Sequence, residues 1–286
     1  MRFQWCRFAT FARYQLLAHV KYLLVIGCLI NANCLLAQSE EPLVTDRPGE
    51  GTDAAAVVGA GVGQLETGAF QEWEAGGKYR LGYYPTVLLR YGMLERVELR
   101  LSSGLYSSEG QAGVGWSPLD LATKVALIEQ AQGWIPQAAL LVGFTLPSTG
   151  SAEVQSRFTQ PRVVLLLNHP ISSWLGITTN VGAHWENDSP ETIYRYALSF
   201  DFSLSERIGA FAEFYGNLPE ASASSHLFNS GFTYLVSNNL QLDLAAGTAL
   251  TDNAPDLYVG GECPGGGRKL SIKIGSLSCA FLPAVS

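Results

Sequence analysis

Apolar and polar residues alternate with a period of two along most of this chain. The segment 97–106 places Leu99 and Leu101 on one face of a strand, and Glu98 and Arg100 on the other. The same pattern returns in the segments 194–204 and 240–250. Segments of about ten residues with this period, repeated many times, are typical of a transmembrane β-barrel with one lipid face and one wet face.

A soluble β-sandwich is the alternative, because its strands alternate too. Strand length separates the two folds: most strands run about 5–6 residues, whereas a strand that crosses a bilayer needs about 9–11. The segments here are of the longer kind. We therefore predict an all-β fold, an antiparallel transmembrane β-barrel of about twelve strands of the outer-membrane type.

Turn signals divide the alternating region into strands. The predicted strands are Gln64–Glu74, Tyr83–Tyr91, Val97–Ser107, Gly115–Ile128, Gly133–Leu146, Arg157–Asn168, Ser173–Glu186, Glu191–Leu204, Arg207–Asn217, His226–Val236, Leu240–Leu250 and a twelfth that starts at Asp256. The short joints are 92–96, 129–132, 169–172, 205–206 and 237–239, and the joints between them are mostly longer, with 187–190 as an exception. This sorting indicates a barrel with both termini in the periplasm.

The N-terminal stretch indicates export. Residues 1–37 contain no Asp or Glu but carry four cationic residues, and an apolar run follows at 22–30. A charged start, a short apolar run and small residues before Ala37 predict a secretory signal peptide, since a spanning helix would need about 20 apolar residues. The predicted regions are a signal peptide at 1–37, a periplasmic N-terminal segment at 38–63, the barrel at 64–260 and a divergent tail at 261–286.

Removal of the signal peptide leaves an acidic chain. Lys plus Arg falls from 18 to 14 while Asp plus Glu stays at 25, so the net charge becomes 14 − 25 = −11. This balance argues against nucleic acid as a partner, because nucleic acid requires a basic surface. Of the cysteines, Cys263 and Cys279 stay in the mature chain, and they are too few for a disulfide framework.

Several motifs resemble one known family. Thr45, Asp46, Arg47 and Pro48 form the opening motif, and a Leu-Leu-Arg-Tyr-Gly run at 88–92 precedes Glu-Leu-Arg at 98–100. Further matching stretches are 64–66, 95–96, 212–216, 239–243 and 254–256, together with Pro85. Over about residues 45–260 the chain resembles the family "Putative MetA-pathway of phenol degradation", a group of transporter-like outer-membrane barrels. The resemblance implies a barrel and a channel more strongly than any phenol chemistry.

The C-terminal end departs from the family pattern. A closing strand ending in an aromatic residue is expected after Gly261, but the run 262–267 contains Pro264 and three glycines. Proline lacks an N–H donor and glycine weakens a strand, so this run is expected to interrupt the ladder. Leu270, Ile272 and Ile274 alternate with polar residues. The tail 261–286 is therefore either a divergent end or a replacement closing strand.

The alternation also predicts which charged side chains face the barrel interior. The candidates for lining a pore are Arg90, Glu98, Arg100, Lys124, Arg195, Asp201, Glu213 and Asp243. Charges of both signs fit two interpretations: an interior in which they form ion pairs with one another, or a site that selects solutes. The histidines lack metal-binding spacing, so we expect no metal, no cofactor and no catalytic residues.

The most consistent function is passive passage of small solutes, including hydrophobic or aromatic ones, across the outer membrane of a Gram-negative bacterium. A non-conducting structural barrel and a membrane-embedded hydrolase are the alternatives. Expected partners are outer-membrane lipid, periplasmic chaperones and the barrel-assembly machinery, with the solute unidentified.

We predict that the mature chain sediments with outer membranes and migrates differently on gels before and after heating. The signal peptide and the long alternating strands are the reason, since a folded transmembrane barrel keeps its compact shape until it is boiled. Fractionation and gel migration measure both properties. Recovery from the soluble periplasmic fraction would favour the sandwich instead.

Overall fold

The computed structural model describes residues 43–46, 51–74, 76, 79–109, 113–186 and 191–269. The predicted signal peptide lies outside these residues, as do Arg47, Pro48 and the alternating stretch after 269 that contains Cys279. Cys263 is buried. None of the described residues forms a helix that is long and apolar enough to cross a membrane.

The described chain forms thirteen β-strands. They are β1 (Val62–Glu74), β2 (Tyr79–Leu94), β3 (Val97–Glu109), β4 (Gly113–Trp116), β5 (Asp120–Ile128), β6 (Gln137–Thr145), β7 (Gln160–Pro170), β8 (Leu175–Trp185), β9 (Thr192–Ser203), β10 (Ile208–Pro219), β11 (Ser225–Ser237), β12 (Leu240–Ala249) and β13 (Leu257–Lys269). Neighbouring strands pair antiparallel, and β1 pairs with β13, so the sheet closes on itself.

Two of the strands share one position in the barrel. Both β4 and β5 pair with β3, with Trp116 opposite Leu105 and Asp120 opposite Ser102. Residues 117–119 between them contain Pro118, which has no N–H to donate, and this explains why the predicted strand 115–128 is broken. Twelve wall positions result, which confirms the predicted twelve-stranded antiparallel barrel.

The closing strand corrects the sequence-based expectation for the C-terminal end. β13 continues through the proline- and glycine-rich run to Lys269 and pairs with β1 over its whole length. Pro264 lies opposite Glu66 of β1, and on its other side the ladder with β12 is interrupted between the pairs Leu240–Gly265 and Asp243–Glu262. Pro264 has no N–H to donate, and it lies at the point where the hydrogen bonds between β12 and β13 are interrupted. The barrel limit predicted at 260 moves to Lys269, and the one at 64 moves to Val62.

The two faces of the wall differ in chemistry. Leu99, Leu121 and Leu244 are 39%, 43% and 64% exposed on the outside, whereas Glu98 and Lys124 are completely buried inside. The inner face also has an apolar section that the alternation does not predict, since β6 and β7 are apolar on both faces. Its members are Ala122, Ala139, Leu141, Val164 and Leu166.

The loops are longer at one end of the barrel than at the other. One end carries the turns 95–96, 129–136, 171–174, 204–207 and 238–239. The other end, called here the long-loop end, includes the connection 146–159. Trp134 and Trp174 lie in turns of the first end, and Trp73, Trp116 and Trp185 lie at strand ends near the second. Aromatic residues at both ends are typical of barrels that span a membrane.

We expect Leu99→Arg to impair folding far more than Ser102→Arg. Leu99 lies on the apolar outer face, where a charge at the bilayer midplane costs about 2–4 kcal/mol. Ser102 lines an internal cavity, where a charge is hydrated. Folding titrations into lipid vesicles measure the difference. Equal effects of the two substitutions would contradict the assignment of the faces.

Candidate functional site: a chain segment inside the barrel

The described residues that precede β1 lie inside the barrel. We call the described residues 43–46 and 51–61 the inner segment. Its Val44 carbonyl accepts a hydrogen bond from Arg90 of β2 (2.6 Å), and its Ala55 N–H donates to Asn168 of β7 (2.6 Å). Thr52 hydrogen-bonds to Glu213 of β10. Only the interior of a closed barrel contacts all three strands, so these residues of the predicted N-terminal segment 38–63 lie within the barrel.

Asp46 is the electrostatic centre of the inner segment. Its side chain is completely buried, and three cations from the wall converge on its Oδ2 atom. Lys124 Nζ lies at 2.8 Å, Arg90 Nη2 at 3.5 Å, and Arg100 Nη1 is in direct contact. Its Oδ1 atom accepts the Ala54 N–H at 2.8 Å. A buried carboxylate is stable only when it is paired and hydrogen-bonded in this way.

Lys124 makes three hydrogen bonds with the inner segment. Besides Asp46, its ammonium group donates to the carbonyls of Ala54 (2.9 Å) and Ala56 (3.3 Å). An ammonium group has three donors, and each has an acceptor here. The backbone from Ala54 to Ala56 is therefore fixed against β5 by one side chain.

Arg90 and Glu98 form a bidentate ion pair in the same cluster. Arg90 Nε and Nη2 contact the two Glu98 oxygens at 2.7 and 2.8 Å. Glu98 lies opposite Gly92 in the β2–β3 ladder, so the pair is diagonal across the hairpin. Glu98 also accepts the Val58 N–H at 2.8 Å, which fixes the end of the inner segment.

Glu66 completes the charges around Arg90. Its Oε1 atom lies 2.7 Å from Arg90 Nη1 and accepts a hydrogen bond from Gln64 at 2.7 Å. Charge-assisted hydrogen bonds in a low-dielectric interior are stronger than neutral ones. The network therefore joins β1, β2, β3 and β5 to the inner segment.

Small residues let the inner segment approach the wall. The stretch 54–58 reads Ala-Ala-Ala-Val-Val, and Ala55 packs, fully buried, against the apolar section of β5, β6 and β7. Gly92 leaves room for the carbonyl of Gly59, where a Cβ atom would overlap it. Gly61, at φ +78°, donates its N–H to the Gly92 carbonyl at 2.7 Å and turns the chain into β1.

All eight charged residues predicted from the alternation lie on the inner face. Arg90, Glu98, Arg100 and Lys124 meet in the cluster around Asp46, and Glu213 contacts Thr52. The other three lie elsewhere on the inner face: Arg195 contacts the Gly51 carbonyl, Asp201 accepts from Thr178 and Ser199, and Asp243 accepts from Gln241.

Sequence reasoning missed the central role of Asp46. Asp46 belongs to the family motif, which marks it as a characteristic residue of the family. It lies before the first strand, however, and the alternation of apolar and polar residues predicts a facing only for residues within strands. Arg162 was also missed. It lies on the inner face of β7, whose run of apolar residues after 162 shows no alternation, and it forms a two-point pair with Asp120 (Nη2–Oδ1 2.6 Å).

The comparison with family models decides the family. The model described as "Putative MetA-pathway of phenol degradation" matches residues 45–263. The chain belongs to that family. The match begins one residue before Asp46 and ends within β13, so it covers most of the inner segment and most of the barrel. A comparison with curated proteins found no match.

Two solved structures are similar to this MetA-pathway family member. The COG4313 outer membrane channel from Pseudomonas putida F1 is 15% identical, with a TM-score of 0.56 over 77% of this chain and 99% of that one. The KdgM porin in complex with disordered oligogalacturonate is 11% identical, with a TM-score of 0.49 over 71% of this chain and 98% of that one. The first of these similarities confirms an outer-membrane barrel fold.

A cavity of about 410 Å³ lies between the inner segment and the long-loop end of this MetA-pathway family barrel. We call it the outer chamber. Its lining residues include Asp53, Phe70, Tyr83, Thr86, Leu88, Arg100, Ser102, Asp120, Thr145, Arg162 and Arg195. Asp53 belongs to the inner segment, so the segment forms part of the chamber wall. Within the described ranges, no group of three or more His, Cys, Asp or Glu side chains could hold a metal ion.

We predict that Lys124→Met lowers the free energy of unfolding by about 3–5 kcal/mol, because breaking a buried ion pair leaves uncompensated charge. Arg96→Met is the matched control. Its ion pair with Glu129 (2.9 Å) has side chains that are 60% and 43% exposed. Such a pair contributes at most about 1 kcal/mol.

Urea titration of the refolded protein in lipid vesicles measures both variants. Equal losses for Lys124→Met and Arg96→Met would show that the buried cluster does not stabilise the fold.

Proposed function

We propose that this protein is an outer-membrane channel through which small solutes pass, with the inner segment as its internal constriction. The observation that carries the proposal is the charged inner face of a closed barrel, which adjoins a chamber at the long-loop end. Membership of a transporter-like family and a fold shared with an outer membrane channel support it.

The inner segment sets the conditions for passage. A solute that crosses the barrel has to pass beside the backbone of 51–61, which Lys124 and Glu98 hold at several points. The expected solutes are small, including hydrophobic or aromatic ones. Passage is passive, since an isolated barrel has no source of energy.

The proposal includes a route to the membrane. We infer that residues 1–37 are a signal peptide and that the mature chain crosses the periplasm of a Gram-negative bacterium with the help of chaperones. The barrel-assembly machinery would then insert it. The outer face, where Leu99, Leu121 and Leu244 are exposed, supports a position in lipid.

A non-conducting structural barrel is the second candidate. The observation that favours it is the complete engagement of Lys124, whose three donors all bind the inner segment and hold it across the interior. The two candidates differ in conductance, because a structural barrel needs no path beside the segment.

We predict a small, steady single-channel conductance for the wild-type protein in planar bilayers. Gly92→Val should raise it, because the added side chain overlaps the carbonyl of Gly59 and displaces the inner segment from the wall. Arg96→Met is the control, since Arg96 pairs with Glu129 at the barrel end and should leave conductance unchanged. Absence of conductance in both the wild type and Gly92→Val would favour the structural barrel.

A further inference from the structure

Among the described residues that line it, the outer chamber has three arginines and two carboxylates. Arg162 is paired at two points with Asp120, and Arg100 is paired with Asp53 at 3.1 Å as well as with Asp46. Both chamber carboxylates are therefore already engaged by these two arginines. The third arginine, Arg195, has no carboxylate at contact distance among these described lining residues, which therefore carry one more positive than negative charge.

Arg195 forms no ion pair with any carboxylate of the described residues. It projects from β9 into the chamber, where Nη2 donates a long hydrogen bond to the Gly51 carbonyl at 3.4 Å. Asp53 and Glu213 attract it from beyond contact distance. A guanidinium group carries five donors, so most of them are available to a bound molecule. Its planar shape suits a carboxylate, which it can bind at two points.

The same chamber has an aromatic wall. Phe70 and Tyr83 line it with ring centroids 4.6 Å apart, and Tyr258 lies behind Phe70 at 5.7 Å. Leu88 and Pro118 add further apolar surface. Small-molecule sites typically combine apolar walls of this kind with a few placed polar groups.

The chamber also contains a polar group that makes no hydrogen bond to any described residue. The hydroxyl of Thr86 is buried and makes no hydrogen bond within the described structure, although it lines the cavity. Buried hydroxyls are normally satisfied, so one left open beside a cavity indicates a ligand or water at that place.

We propose that the outer chamber binds small aromatic monocarboxylates, with the carboxylate on Arg195 and the ring against Phe70 and Tyr83. One surplus cation matches a single negative charge, and a cavity of about 410 Å³ accommodates one such molecule. This inference rests on the proposed channel function, because the bound ligand is taken to be the class of solute that the channel carries. Binding itself is measured without any transport.

Isothermal titration of the refolded full-length protein tests the site with three probes: benzoate, its neutral analogue benzyl alcohol, and acetate, which lacks the ring. For the wild type we expect benzoate to bind about tenfold more tightly than either of the other two compounds. Benzyl alcohol lacks the charge-assisted contact with Arg195, and acetate lacks the apolar contact with the aromatic wall. In Arg195→Gln the preference for benzoate over benzyl alcohol should disappear, while benzyl alcohol should bind as before.

Matched variants keep the test specific. Arg207→Gln makes the same change in an exposed turn at the other end of the barrel and should leave all three affinities unchanged. Phe70→Leu should weaken benzoate and leave acetate unchanged. Heat-modifiable migration establishes that each variant is folded.

Three results would overturn the assignment: equal binding of benzoate and benzyl alcohol by the wild type, equal binding of benzoate and acetate, or full retention of the benzoate preference in Arg195→Gln. Conductance separates this inference from the proposed function. If the protein binds benzoate but never conducts, the binding site is supported and the channel function is rejected. If it conducts but does not bind benzoate, the channel function is supported and the binding site is rejected.

Discussion

The buried carboxylate of Asp46, surrounded by Lys124, Arg90 and Arg100, is the interaction on which the interior of this protein depends. Three cations on the inner wall of a barrel would repel one another and lose hydration if nothing of opposite charge lay between them. Glu66 and Glu98 supply part of that charge from the strands. Asp46 supplies the rest from outside the sheet, and for this reason an irregular segment without strand pairing is held at a defined place.

Closure of the barrel is the second constraint, and it operates on the backbone. In lipid every N–H and C=O group needs a partner inside the protein, so an open edge between the first and last strands would be costly. The pairing of β1 with β13 removes that edge even though β13 contains Pro264 and several glycines. β13 has the sequence least suited to a strand, yet it stays in the sheet because β1 and β12 hydrogen-bond to it on either side.

The inner segment also creates the outer chamber. Without residues 51–61 the lumen would be continuous, and Arg100 and Arg195 would face water. With the segment in place, Asp53 becomes part of the chamber wall and engages Arg100, whereas Arg195 hydrogen-bonds to the carbonyl of Gly51 and contacts no carboxylate among the residues that the structure describes. The same segment thus neutralises one arginine and leaves another available, which gives the chamber its distinct chemical character.

The sequence by itself determined the strands and their faces. Leu99 outside and Glu98 inside follow from the period of two, which is a local property of a single extended chain and needs no knowledge of its neighbours. The family motif marked Asp46 but not its position. Only the tertiary structure decided that Asp46 meets Lys124, that Pro264 lies in the closing strand, and that Arg195 is left without a carboxylate partner among the described residues. These outcomes depend on contacts between residues far apart in the chain, which exist only after the sheet closes around the inner segment.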